Sequence, residues 1–516
     1  MAGLFNLPPS RNNKEADKRA ISKSNNKKSA SVVIRGDGIM EKISIINSMV
    51  EKNLGKYRDK YDVVSDKESL FAYIHECVKN GICAIDTETT GLDPILDSIV
   101  GMSIYTPNQK AIYIPIHHVS YVTGMICPEQ QDVDDIKIAM GYLVENHVKI
   151  VMFNAKFDIR VIKNQIGIQV PCYYDGYIAA KCLNENEQSS GLKALHAKYV
   201  LQGKETAFNF DSLFHGIEFS KVPIQTGYIY AAHDAEVTYE LYQFQVPYLT
   251  KTSELCQANG LEKVADVFWD IEMPFIDVAV NLEETGICFD VKYAKKLSDK
   301  YNKQKQDNLD NFYRLLEMYD KEISEYKQNN PNNKLSDPIS VSSPTQLAIL
   351  FYDILKIKPV DDKSPRGTGV DILEKIDNPL CKAILEYRAT DKLLSTYIDK
   401  LPECINPKTN RIHCGINQYG AKTGRLSSDS PNLQNIPSHN HDIRKMFVAS
   451  NEEYNIQSNE NNLFTVKKYS EVKTSKGWKF AENLISGDLL VCDNDKGALL
   501  EVKSVIVDDS SIRIYC

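Results

Sequence analysis

The segment Gly81-Ile82-Cys83-Ala84-Ile85 is an unbroken apolar run, and Asp86-Thr87-Glu88-Thr89-Thr90 follows it without a gap. This pattern predicts a buried strand whose C-terminal end emerges into a polar environment, with alternate residues facing the same way. From about residue 66 to 250, strand-like and helix-like patterns alternate. Ala111 to His117 and Val148 to Phe153 are β-rich, whereas Asp134 to Val144 and Ala155 to Ile166 carry helical spacing. The alternation predicts a mixed α/β domain on a central sheet. From about 270 onward helices dominate. Val291 to Lys327 is long, charged and poor in breakers, which predicts a protruding helical hairpin or arm ended by Pro331; Asp371 to Leu401 form a second helical group. Beyond Ser450 the pattern changes to short β-like runs punctuated by glycine. Residues 1–60 are polar and predicted to be loosely ordered, apart from a short helix around Ile43 to Leu54.

A length of 516 residues leaves room for about three domains. The formal net charge of −8 does not by itself suggest a nucleic-acid partner. Net charge is a poor guide, however, where one site collects acids and basic groups lie elsewhere. One basic cluster, from Arg11 to Arg35, reads as a solvated, disordered tail. Twelve cysteines without a C-x-x-C pair read as reduced thiols of a cytosolic protein. With no apolar leader and no apolar run of membrane-spanning length, the expected location is intracellular, away from membranes.

The chemistry begins at the emerging strand. Asp86 and Glu88 stand two residues apart, so both carboxylates aim at one point, as hard cations such as Mg²⁺ or Mn²⁺ require. Asn154-Ala155-Lys156-Phe157-Asp158 follows another strand and places Asp158 on the first turn of a helix, at the sheet edge where α/β sites lie. In Tyr228-Ile229-Tyr230-Ala231-Ala232-His233-Asp234, Tyr230 and Asp234 share a helix face. Taken singly, Asp158 serves equally well as a helix-start carboxylate and Tyr230 as a half-buried aromatic.

In this order the three motifs resemble those of the DEDDy 3′–5′ exonucleases. "AIDTETTGLDP", "NAKFDIRVI" and "YAAHDAEVTYEL" are similar to the proofreading domain of bacterial DNA polymerase I. The resemblance implies an RNase H-like fold and two divalent metal ions. It implies that Asp86, Glu88 and Asp234 hold the ion near the scissile phosphate, with Asp86 bridging to a second ion that Asp158 supports through water. Tyr230 would orient the attacking water together with Glu88.

A second signature is Thr423-Gly424-Arg425-Leu426-Ser427-Ser428 followed by Pro431-Asn432-Leu433-Gln434-Asn435-Ile436-Pro437. Arg425 can donate to minor-groove acceptors, and the amides of Asn432, Gln434 and Asn435 can reach bases, sugars or phosphates. The string resembles the palm-entry motif of family A DNA polymerases, where the arginine grips the primer terminus. "EMPFIDVAVNLEETGICFD", "SSPTQLAILFYDIL" and "ILEYRATDKLLSTYIDKLP" are similar to the family's thumb and its flanks. The implied architecture is an α/β RNase H-like exonuclease domain (61–250) followed by a mostly α-helical thumb and the start of a palm (265–450). A small β-rich tail (451–516) follows. The implied partner is DNA, as primer–template and as a single-stranded 3′ end, and the arrangement resembles a phage or trimmed bacterial polymerase acting in a bacterial cytoplasm.

After Ser450 the family pattern breaks. No Asp-Tyr-Ser-type motif, fingers helix or His-Asp-Glu-type motif follows, so polymerisation is expected to need a second polypeptide or a full-length product. The tail, with Gly477-Trp478, Leu484 and Gly487-Asp488, resembles the Hint module of inteins but shows no Thr-x-x-His motif. Two other readings stay open at this point: an assembly subunit of a split polymerase, and a ribonuclease D-like RNA exonuclease.

Overall fold

The computed structural model describes residues 38–449, apart from residues 122, 190, 205–212, 215 and 422–423, together with strands and Leu484 between 463 and 515. The basic cluster Arg11 to Arg35, Thr423 and Gly487-Asp488 lie outside the described residues. Two compact units are present, residues 1–448 and 449–516.

The first unit is organised on a six-stranded sheet of order β1-β4-β3-β2-β5-β6. Its strands are β1 (Tyr61–Val63), β2 (Ile82–Thr89), β3 (Ile99–Tyr105), β4 (Ala111–Pro115), β5 (Lys149–Met152) and β6 (Tyr174–Asp175). Strand β3 runs antiparallel to both neighbours, while β2, β5 and β6 are parallel. Helix α1 (Ile39–Leu54) precedes the sheet, and α2 (Lys67–Asn80), α3 (Val133–Glu145), α4 (Ala155–Gln165), α5 (Gly176–Leu183), α6 (Leu192–Tyr199) and α7 (Ile224–Gln245) interleave with or follow its strands. Leu70, Ile74, Ile136, Met140, Ile159 and Ile162 from α2, α3 and α4 pack with Cys83, Ile85 and Ile104 of the sheet in one core.

Local sequence explains where these elements start and stop. The Asp66 side chain caps α2 by accepting from Ser69 N at 2.8 Å. Gly81, at φ 68°, ends the helix in the left-handed region and turns the chain into β2. Helix α1 is more than the short helix expected in a loose segment. Its stripe of Ile43, Ile46, Val50 and Leu54 is buried against Ile229, Ala232 and Val222 at and before α7, and Thr226 donates to Asn47 at 2.6 Å.

Helix α8 (Met273–Thr285) leads into the remainder of this unit. The expected hairpin or arm is two helices, α9 (Val291–Leu316) and α10 (Asp320–Asn329), separated by a 3₁₀ turn at Glu317–Tyr319. That turn contains neither Gly nor Pro, so the pattern of breakers does not mark it. Phe312, Leu316 and Ile323 pack with Leu350, Phe351 and, from α11 (Pro379–Leu393), Leu380 and Ile384. A small sheet joins β7 (Ile287–Phe289), β8 (Ile405–Asn406), β9 (Arg411–Ile412) and β12 (Phe447–Val448); a hairpin pairs β10 (Gly415–Asn417) with β11 (Ser427–Asp429). The second unit contains a three-stranded and a four-stranded antiparallel sheet between Leu463 and Tyr515, in keeping with the β-rich tail.

Candidate active site

Strand β2 and helix α7 bring the acidic residues together. Asp86 and Glu88 pair across β2–β3 with Ser103 and Gly101, and the register shifts just after Glu88. Gly101 has a steric reason: a Cβ there would stand 2.0 Å from the Tyr113 hydroxyl, which is held by His118 Nε2 at 2.6 Å. Asp86, Glu88 and Asp234 each offer an oxygen, and these atoms lie within 4.8 Å of one another.

Asp158, on the first turn of α4, adjoins this cluster without being one of its three members. Its Oδ1 accepts from Thr87 N at 3.0 Å and Thr87 Oγ1 at 2.6 Å. A cleft of about 430 Å³ opens beside it, lined by Asp86, Asp158, Phe153, Asn154 and Tyr177, with Asn417 of β10 at its border. Tyr230 lies one turn before Asp234, its ring edge-on to Phe214 at 5.1 Å between centroids.

Burial is the largest influence on each carboxyl. It raises Asp86 well above the usual range, and repulsion from Asp158, Asp234 and Glu88 adds to it. Glu88 is pushed up to about 8 by burial and then by Asp234. Asp158 is pushed up to about 7 by burial, although the Thr87 bonds pull it down. Burial also raises Asp234, against the pull of Lys193 and the Tyr230 hydroxyl. Such mutual repulsion calls for a cation, and the donor set fits one. The ligands are all carboxylate oxygens, suited to Mg²⁺ or Mn²⁺. Asp234 Oδ1 is buried with the Lys193 ammonium 2.8 Å away, so a cation already stands against this carboxylate.

Two residues of the site carry no motif. Lys193, on α6, places Nζ 2.8 Å from Asp234 Oδ2. Asp175 closes β6 and accepts from Asn154 N (3.0 Å), Ala155 N (2.8 Å), Tyr177 N (2.8 Å) and Ile178 N (3.3 Å), so one carboxylate caps both α4 and α5. Lys181 and His233 are bonded to groups outside the carboxylate cluster. Lys181 donates to Glu187 O, and His233 is buried with Nδ1 2.7 Å from the Tyr61 hydroxyl.

The palm-entry loop is held by its own polar groups. Asn432 Oδ1 accepts from Gln434 N at 3.1 Å, and Gln434 Nε2 donates to Leu426 O at 2.9 Å. Arg425 and Asn435 are exposed. Thus two of the four residues read as DNA contacts spend side-chain atoms on shaping the loop. The loop continues into β11, whose partner β10 carries Asn417 to the cleft.

Residues 61–249 match the family described as 3′–5′ exonuclease, and residues 309–460 match DNA polymerase family A. The chain's polymerase segment belongs to DNA polymerase family A. The chain is 32% identical over 408 residues to DNA polymerase I of Pseudomonas aeruginosa, covering 75% of this chain and 40% of that protein. Against DNA polymerase I of Chloroflexus aurantiacus it is 31% identical over 404 residues, covering 75% of this chain and 39% of that one. The chain therefore spans about 40% of the length of these family A relatives. A solved structure, the POL domain of Pol1 from M. smegmatis in complex with DNA primer-template and dNTP, shares the fold. Its TM-score is 0.56 at 20% identity, covering 80% of this chain and 61% of that one. An α/β RNase H-like exonuclease domain followed by a mainly helical polymerase region is thus the architecture of this chain.

Proposed function

We propose that residues 61–250 form a metal-dependent 3′–5′ exonuclease that proofreads DNA ends, and that residues 265–450 are the thumb and palm entry of a polymerase that grips primer–template. The observation that carries this reading is the convergence of Asp86, Glu88 and Asp234 within 4.8 Å, beside a cleft that Asp158 lines.

Asp86, Glu88 and Asp234 are the residues that would hold a divalent ion, with Asp158 supporting a second. Ions so bound lower the pKa of an attacking water and stabilise the leaving 3′-oxygen. The protein groups divide the remaining work. Glu88 and the Tyr230 hydroxyl orient the water. Thr87 keeps Asp158 in place, and the phenyl rings of Phe153 and Phe157 offer apolar surface to a nucleotide in the cleft. Arg425, exposed at the palm-entry loop, grips the primer terminus, and the exposed Asn435 of the same loop adds an amide.

Polymerisation would draw on carboxylates that these 516 residues do not contain, since no Asp-Tyr-Ser-type or His-Asp-Glu-type motif follows Val448. A second polypeptide or a full-length product would supply them. Among the described residues no helix is long and apolar enough to cross a membrane; we place the chain in a bacterial cytoplasm, as the product of a phage or bacterial gene.

The test is a 5′-labelled primer–template incubated with the chain and Mg²⁺, with and without dNTPs, beside an Asp86→Ala/Glu88→Ala control. Stepwise shortening from the 3′ end that the control lacks supports the exonuclease. Equal inertness of the two proteins overturns it. A primer with a 3′ RNA end, trimmed in preference, would move the reading to an RNA exonuclease.

A further inference from the structure

A cation already sits against the carboxylate cluster. Lys193 places Nζ 2.8 Å from both Asp234 oxygens, and 3.6 Å from the centroid of the Tyr230 ring. Its side chain is only 15% exposed. Burying an ammonium is costly unless it is paired, and here a carboxylate and an aromatic face both compensate it. The hydrogen bond goes to Asp234 Oδ2, while Oδ1 receives none. The ammonium nevertheless contacts both oxygens, so an ion that takes Asp234 as a ligand must displace or share that contact.

This arrangement has opposing effects. Lys193 offsets repulsion among Asp86, Glu88, Asp158 and Asp234, and fixes Asp234 and the Tyr230 ring relative to each other. Its positive charge also lies one contact away from a metal ligand, where it repels a divalent ion. The four-carbon stem of a lysine gives the ammonium freedom to withdraw, which a rigid guanidinium lacks.

We propose that Lys193 is a positioning residue that stands in for the metal: it holds Asp234 and Tyr230 in their working places when no ion is bound, and it lowers the affinity with which an ion replaces it. The proposal rests on the exonuclease reading, in which Asp234 is a metal ligand.

The experiment is titration of the full chain with Mn²⁺ alone, with free Mn²⁺ followed by electron paramagnetic resonance. Wild type is compared with Lys193→Met, Lys193→Gln, Lys193→Arg, Asp86→Ala/Glu88→Ala and the exposed-site control Lys221→Met. Removing a unit charge about 4 Å from a divalent ion in a protein environment is worth at least about tenfold in affinity. Lys193→Met and Lys193→Gln are expected to bind Mn²⁺ tighter by that factor, while Lys221→Met stays near wild type and Lys193→Arg, which keeps the charge and withdraws less readily, binds no tighter than wild type. The metal-free melting temperature should fall for the two neutral variants and recover on adding Mn²⁺. Unchanged or weaker Mn²⁺ binding by whichever neutral variant folds overturns the proposal. If Asp86→Ala/Glu88→Ala still abolishes binding, the exonuclease reading survives that failure. If wild type binds no Mn²⁺, or the double variant binds it as well as wild type, the reading itself falls and the proposal with it.

Discussion

Lys156 and Asp158 stand two positions apart on α4 and serve different parts of the protein. Asp158 is bonded to Thr87 beside the carboxylate cluster. Lys156 Nζ lies 2.5 Å from Glu283 of α8 and also donates to the Ile416 carbonyl of β10. One helix thus presents one face to the cleft and another to the polymerase region.

Glu283 is the centre of that second contact. Only 4% exposed as a side chain, it pairs with Lys156 and with Arg160 at 3.0 Å, and accepts from Ile416 N at 2.7 Å. Glu283→Gln keeps the shape but leaves buried Lys156 without its counter-charge and Arg160 with Glu284 alone. A loss of about 3–5 kcal/mol is expected, read by urea unfolding. Glu218→Gln breaks the exposed Lys221–Glu218 pair and should cost at most about 1 kcal/mol. Equal effects would show that the buried network contributes no more than a surface pair.

Stability of the metal-free chain should depend on pH through the cluster. Burial raises all four carboxyls, with repulsion adding to it at Asp86 and Glu88; Glu88 stands near 8 and Asp158 near 7. The folded state therefore binds more protons than the unfolded one. This contribution is complete below the ordinary carboxylate range and is lost as pH rises through about 7 to 8. Melting temperature in a chelator should fall between pH 5 and pH 9, and Asp86→Asn/Glu88→Gln should flatten the slope. Added Mg²⁺ should raise the high-pH values most. A rise in metal-free stability over that interval would contradict the assignment of strain to these carboxyls.

Asp175 is expected to matter more than its distance from any motif suggests. Asp175→Ala removes the acceptor of four backbone N–H groups at two helix starts. Each lost cap costs about 1 kcal/mol, so a destabilisation of about 2 kcal/mol is expected in thermal or urea melts. Because α4 carries Asp158, nuclease rate should fall as well. Asp175→Asn keeps acceptor capacity and should lie between the two. A neutral alanine variant would mean that the loop holds itself without this carboxylate.

Arg425 separates binding from folding. It is exposed, so Arg425→Ala should alter stability by less than about 0.5 kcal/mol. Primer–template affinity should drop by about 1–3 kcal/mol, measured by fluorescence anisotropy at several salt concentrations. Unchanged affinity would remove Arg425 from the DNA contacts.

The strand that bears Asp86 and Glu88 was legible because alternation and an apolar approach are local properties. Helical spacing put Tyr230 and Asp234 on one face, and only the resemblance to the exonuclease motifs gave them roles. The structure brings Asp86, Glu88 and Asp234 within 4.8 Å, with Asp158 bonded to Thr87 beside them. Lys193, Asp175 and Glu283 were not legible, because each acts on residues distant in sequence: Lys193 on Asp234, Asp175 on Asn154, Glu283 on Lys156. Charge and cap partners of that kind arise from tertiary contact, which periodicity does not encode. The stripe of α1 was visible, but its polar surroundings in sequence hid the fact that it has a docking face.

That docking face sets where the protein can be cut. A fragment begun at Tyr61, where the sheet begins, would shed α1 and bare Ile229, Ala232 and Val222, which Ile43, Ile46, Val50 and Leu54 now cover. Newly exposed apolar surface of this kind promotes self-association. Insolubility of such a fragment would therefore report the missing lid of the domain and not a fault in the nuclease fold.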